Sequence, residues 1–283
     1  MPSISSFLFQ GTRRLRFGPH RDRARADAEL LLMHLLRRDR TWLMAHSSDD
    51  IGFDHWKPYY ELLQRRYRGE PIQYITGETE FYGLPFRVTP DVLIPRPETE
   101  LLVEKVLASA ASFQAPRIVD VGAGSGAIAV ALAHHLPCAA ITAIDLSPAA
   151  LTIARQNAAL NAVSSRIRFL KGDLLAPVAH EQFEIVVSNP PYVPTTDRPT
   201  LSVEVRDHEP ALALFAGPDG LDIYRRLIPQ AFAALVPGGF LALEIGFAQS
   251  PAIADLLASS GFHQIEFLPD LQSIPRVALA QRP

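Results

Sequence analysis

The residues with the clearest chemical potential are Asn189-Pro190-Pro191-Tyr192, which close the apolar run Phe183-Glu-Ile-Val-Val-Ser188. The run is rich in β-branched residues and alternates little, so it reads as a buried strand. Two prolines directly after it end ladder pairing and stiffen the turn. Asn189 then stands at the carboxyl end of a strand, where open α/β sheets bind their ligands. Its side-chain oxygen can accept a hydrogen bond from a substrate –NH2, a backbone carbonyl at Pro190 can accept a second, and Pro191 holds the turn. Tyr192 offers a flat face to a planar group. The plainer reading is a strand-to-loop turn punctuated by Asn-Pro. A second feature upstream calls independently for a partner of this kind.

That feature is Ile118-Val-Asp-Val-Gly122-Ala123-Gly124-Ser125-Gly126-Ala127. An apolar strand runs into a glycine loop and then into Ile128-Ala-Val-Ala-Leu-Ala133, a good helix former. Glycines allow a tight turn and a close approach of backbone to ligand. The spacing is G-x-G-x-G rather than the G-x-G-x-x-G of dinucleotide binders. A second strand, Ala140-Ile-Thr-Ala-Ile144, ends in Asp145, placed where an acid can accept both ribose hydroxyls. Ser147-Pro148 reads as the cap and first residue of the next helix. This order suits S-adenosyl-L-methionine better than NAD.

The chain has 283 residues, 48% of them hydrophobic, enough for a large core and two domains. No apolar run approaches the ~18 residues of a membrane helix. The single cysteine, Cys138, excludes an intrachain disulfide and suits a reducing, cytoplasmic setting. At a helix-to-strand junction it reads as a packed small side chain. The nine histidines are scattered and no cluster has metal-ligand spacing. A net charge of −3 argues against dominant non-specific nucleic-acid binding. Residues 1–40 nonetheless hold nine arginines against Asp22, Asp27, Glu29 and Asp39. A transit peptide or a basic helical face would explain that excess, and the second is the simpler.

Helical periodicity over Asp27–Arg38, Thr41–Met44 and Asp54–Arg68 predicts a helical domain over residues 1–70, ended by Glu70-Pro71. A hairpin turning at Gly83-Leu84 fills a connector over 71–92. Pro97, Glu98 and Glu100 suit the first turn of a helix. Strands are expected at 117–121, 140–144, 166–170, 183–188, 239–245, near 263–267 and at 276–281. Their alternation with helices over 93–283 means a mostly parallel sheet covered on both faces.

These segments together resemble the HemK-type protein-(glutamine-N5) methyltransferases of class I peptide chain release factors. The resemblance runs from about Glu70 to Ala280. It rests on Glu70-Pro-Ile-Gln-Tyr-Ile-Thr-Gly77, Leu93-Ile-Pro-Arg-Pro-Glu-Thr-Glu100, the glycine loop, Gly172-Asp173-Leu174, Asn189-Pro-Pro-Tyr192, Glu209-Pro-Ala-Leu212 and Gly217-Pro-Asp-Gly-Leu221. It implies a seven-stranded Rossmann-like class I methyltransferase domain behind a helical one. Gly122 to Gly126 would face the methionine part of S-adenosyl-L-methionine, Asp145 its ribose, and Asp173 with Leu174 its adenine. Asn189 to Tyr192 would hold the glutamine of a Gly-Gly-Gln loop, and the helical domain would dock the factor. No stable nucleic-acid complex and no membrane are implied. The sequence departs from the pattern at His208, where an aromatic is common, and over Leu271–Pro275, which lacks the family's glycine. A nucleic-acid amine methyltransferase would use the same Asn-Pro-Pro-Tyr loop on adenine or guanine. It would want a basic groove and a larger target-reading module than residues 1–70 provide.

Overall fold

The computed structural model describes residues 2–283, which divide into two compact units, 2–77 with 201–208 and 78–200 with 209–283.

The smaller unit is helical: α1 (Ile4–Leu15), α2 (Ala24–Leu36), α3 (Arg40–Ala45), α4 (Trp56–Tyr67) and α5 (Ile72–Thr76). Ile4, Phe7, Leu8 and Leu15 of α1 are buried against Ala28, Leu31 and Leu32 of α2 and Tyr59 and Leu63 of α4. That spacing is one apolar face of a helix. Residues from Ile4 onward thus form a packed helix, while Arg13, Arg16, Arg21 and Arg23 stay exposed. α4 ends at Tyr67, but the helical unit continues past Pro71 to Gly77. Pro71 instead precedes α5, whose Ile72 and Ile75 join the core, and Gly77 ends it in the left-handed region at φ 79°. The buried Arg66 guanidinium joins Asp27 on α2 at 2.6 Å and Glu204 from the 201–208 segment.

In the larger unit a two-stranded hairpin, β1 (Glu78–Phe81) and β2 (Leu84–Arg87), precedes α6 (Glu98–Ala110). The hairpin turns on Tyr82-Gly83, one residue earlier than the sequence suggests, because Phe81 pairs Leu84. Both turn residues have positive φ, 52° and 71°, as a two-residue turn between right-twisted strands requires. There follow β3 (Arg117–Val121), α7 (Ala127–His135), β4 (Ala140–Asp145), α8 (Pro148–Leu160), β5 (Ile167–Lys171) and β6 (Phe183–Ser188). After α9 (Val203–His208), which packs with the smaller unit, come α10 (Asp222–Ala234), β7 (Leu235–Glu244), α11 (Ser250–Ser259), β8 (His263–Pro269) and β9 (Pro275–Gln281).

The seven strands run in the order β5-β4-β3-β6-β7-β9-β8. Pairing is parallel from β5 through β7, and antiparallel at β9 and β8. Successive residues of the central strands enter opposite cores: Ile185 and Val187 one, Val186 the other. Burial on both faces explains why these strands are mostly apolar. Cys138 is exposed rather than packed. Ala139 and Ile141 take the inward positions at that junction, leaving the thiol outside. In the Leu271–Pro275 segment Ser273 adopts φ 63°, and Asp270 accepts the N–H groups of Gln272 and Ile274 around it.

Candidate active site

From β3 the chain winds outward through β4 in one direction, and β6 lies on the other side of β3. Connections therefore leave the carboxyl ends of β3 and β6 in opposite directions and open a crevice between them. A cavity of about 210 Å³ occupies that position. Its lining includes Gly122, Ala123, Gly124, Ser125, Asp145, Asp173, Leu174, Asn189, Pro190 and Pro191.

The glycine loop is built for a close approach. Gly122 and Gly124 have φ of 76° and 55°, and a Cβ on Gly122 would meet no protein atom within 4 Å. The space beside it is open to a ligand. Gly126 has a different reason to lack a side chain. At φ 80° its Cβ would come 3.0 Å from Ala154 on α8, so this glycine lets α8 pack against the start of α7. It is not part of the cavity lining.

Asp145 ends β4. Its Oδ2 accepts the Gly124 N–H at 2.7 Å and its Oδ1 accepts the Ser147 N–H at 2.8 Å. A carboxylate has about four acceptor positions, so two remain for ligand hydroxyls. Asn157 on α8, absent from the sequence reading, donates to the Ser125 carbonyl at 2.8 Å and fixes the far side of the loop. Asp173 pairs with Arg226, and Leu174 holds a positive φ of 50°, uncommon for a bulky residue. An outlier of this kind, on the cavity wall, is held by its surroundings.

The Asn189 loop is tied from several directions. Ser188 Oγ donates to the Val121 carbonyl at 2.6 Å, locking the end of β6 to the end of β3. Asn189 Nδ2 donates to Thr99 Oγ at 3.1 Å, and Thr99 Oγ donates to Glu244 Oε2 at 2.5 Å. Tyr192 does not line the cavity. Its ring packs against the second core and its hydroxyl donates to Glu244 Oε1 at 3.2 Å. Gln249 Nε2 donates to the Tyr192 carbonyl at 3.0 Å. Burial raises the Glu244 carboxyl to about 7, against hydrogen bonds from Thr99 and Tyr192 that lower it. Burial and the same Glu244 raise the Tyr192 hydroxyl. Arg96, on the cavity wall, donates to both oxygens of the buried Glu209 at 2.6 and 2.7 Å, joining the Leu93–Glu100 and Glu209–Leu212 segments. His208 is not among the cavity residues.

Residues 97–204 match the methyltransferase small domain and residues 8–77 the PrmC N-terminal domain. A "Release factor glutamine methyltransferase" of Moorella thermoacetica is 45% identical over 99% of this chain and 99% of its own. One of Deinococcus radiodurans is 44% identical over 90% of each. The chain belongs to the release factor glutamine methyltransferase family. Members of that family are methyltransferases, and the larger unit has the class I methyltransferase architecture. Among solved structures, a Pyrococcus furiosus methyltransferase superposes with a TM-score of 0.51 at 17% identity, covering 71% of this chain and 90% of its own. A T. thermophilus 16S rRNA methyltransferase bound to AdoMet and guanosine gives 0.54 at 21%, over 73% and 50%. At such identities the likeness is one of fold.

Proposed function

We propose that this protein transfers a methyl group from S-adenosyl-L-methionine to the side-chain N5 of the glutamine in the Gly-Gly-Gln loop of class I peptide chain release factors. The observation that carries the reading is the position of Asn189. It stands on the cavity wall with the glycine loop and Asp145, at the carboxyl ends of adjacent strands. The family membership names the acceptor class.

The residues present fit the cofactor. The space beside Gly122 admits a ligand against bare backbone, Asp145 keeps acceptor capacity for a ribose, and Asp173 with Leu174 offers an acceptor and an apolar face. When bound, S-adenosyl-L-methionine supplies an electrophilic methyl group on a sulfonium. The protein's part is to present the glutamine nitrogen. An amide nitrogen is a poor nucleophile because its lone pair is delocalised into the carbonyl. Asn189 Oδ1 and the Pro190 carbonyl accept its two N–H bonds, orient the nitrogen and exclude other geometries. Positive charge would grow on that nitrogen as its bond to the methyl carbon forms and the carbon–sulfur bond breaks, so both acceptors bind the transition state more tightly than the ground state, and loss of one N–H proton to water after transfer leaves the neutral N-methyl amide. Pro191 stiffens the loop, and Tyr192 anchors it through Glu244.

Residues 1–77 would dock the release factor through their exposed arginines, and the protein would act in the cytoplasm, where termination occurs. Among the described residues no helix is long and apolar enough to cross a membrane. Arg13, Arg16 and Arg21 changed together to alanine should raise KM for an intact factor several-fold and leave kcat near wild type. The reading is tested by offering a release factor, DNA and rRNA side by side and locating the methyl by mass spectrometry. Methyl on the loop glutamine is the expected result. Methyl on a nucleobase alone would transfer the case to nucleic-acid amines.

A further inference from the structure

The chain of hydrogen bonds behind Asn189 has a direction. An ionised Glu244 can only accept. Thr99 must therefore donate to it, which leaves the Thr99 oxygen as an acceptor for its other neighbour. Asn189 answers with Nδ2, the donor end of its amide. We propose that Glu244 and Thr99 are positioning residues for methyl transfer, fixing Asn189 with its –NH2 toward Thr99 and its Oδ1 toward the substrate amide. The inference rests on the reading above that the acceptor is a glutamine. Without this chain the carboxamide could rotate by half a turn at little cost. It would then show a donor to the substrate's own –NH2, donor against donor.

Three elements converge to build it. Asn189 follows β6, and the parallel register Ser188–Leu243 sets Glu244 beside it at the end of β7. Thr99, 4% exposed, comes from the first turn of α6. Tyr224 on α10 donates to the Glu244 carbonyl at 2.7 Å and fixes the strand end. Glu244 itself is 1% exposed. A carboxyl inside an otherwise apolar strand is costly to bury and is here held by two donors.

The direction depends on protonation. Glu98 on α6 and Arg276 on β9 face Glu244 with opposite signs, and Tyr192 and Tyr224 stay neutral because burial raises both. Burial sets the Glu244 carboxyl near 7. Above that value it is an acceptor and the chain runs as described. Below it the carboxylic acid can donate to Thr99, Thr99 can donate to Asn189, and Oδ1 is turned inward. Transfer should therefore fall as pH drops through about 7. Asp120 on β3 is also raised to about 7, so the pH profile needs a variant to assign it.

The test uses the full-length enzyme and an intact release factor, with cofactor affinity measured by calorimetry for each variant. Thr99→Val keeps the shape and removes the hydroxyl. It should lower kcat about 10-fold, the upper scale for one hydrogen bond's net contribution, with cofactor affinity unchanged. Thr99→Ser, which restores the hydroxyl, should recover most of the rate. Glu244→Gln cannot titrate, so its profile should be flat between pH 6 and 8, whatever its absolute rate; this holds the proposal to account even if Thr99→Val does not fold. A Thr99→Val enzyme matching wild type in rate and pH profile would overturn the inference alone. So would a Glu244→Gln profile that still falls below pH 7. A wild-type enzyme that leaves the factor's glutamine unmodified would overturn the substrate reading and this inference together.

Discussion

The two walls of the cavity are made differently. The wall we assign to the cofactor consists of Gly122 to Ser125, a loop working largely through backbone, and Asp145, which accepts the N–H groups of Gly124 and Ser147. The wall we assign to the acceptor centres on the Pro190 carbonyl and the Asn189 side chain, which is tied through Thr99 on α6 to Glu244 on β7, far away in the chain. One wall is a local loop shape, and the other is a product of strand register. The first should govern binding and the second chemistry.

Substitutions at each wall can break that division. Asn189→Ala carries the largest expected effect. Single-turnover transfer should fall at least ~10²-fold, the scale of losing one preorganised hydrogen-bonding partner, while calorimetry shows cofactor affinity little changed. Asp145→Ala should do the reverse, weakening cofactor binding by about 1.5–3 kcal/mol with the rate at saturating cofactor nearly kept. An Asp145→Ala enzyme that binds as wild type would remove that carboxylate from the cofactor wall. Gly126→Ala should touch neither function directly. The left-handed backbone costs an alanine about 1–2 kcal/mol, which urea denaturation would register as lower stability; an unchanged midpoint would mean that the approach of α8 to Ala127 is slack.

Asp120 gives an effect that depends on pH. Burial raises its carboxyl to about 7, against a hydrogen bond from the Ala129 N–H and with Asp145 pushing the same way as burial. The folded state therefore holds a proton that the unfolded chain releases near pH 4. Stability from this group is present below that range and is lost as pH rises toward 7. Asp120→Asn should remove part of that decline, seen as a smaller fall in unfolding midpoint between pH 5 and 7. A steeper fall in the variant would reverse the sign and contradict the burial argument.

The same contrast explains how much could be read from the sequence. The central strands β3, β4 and β6 were legible because a strand buried on both faces is mostly an apolar run, whereas the edge strands β5 and β8 are only partly buried. The glycine loop was legible because its geometry is local. Thr99 was hidden in a helix start, where it passed as an ordinary first-turn residue. Glu244 left a signal, a lone acid at the end of the apolar run Phe240–Ile245, but nothing in the spacing says which loop it will face. Tyr192 illustrates the limit from the other side. Its position after two prolines suggests a face for the substrate, whereas packing turns the ring to the core and the hydroxyl to Glu244. The Tyr82-Gly83 turn and the exposed Cys138 differ from expectation because strand pairing decides the one and the inward-facing Ala139 and Ile141 decide the other.

The most direct test of the division between walls is a double-mutant cycle on Asn189→Ala and Asp145→Ala, reading cofactor affinity by calorimetry and methyl on the release-factor glutamine by mass spectrometry. Independent sites add within about 0.3–0.5 kcal/mol. The double variant should show the affinity of Asp145→Ala and the rate of Asn189→Ala, each within that margin. A coupling larger than that in either quantity would mean the two walls act as one, and would contradict the account.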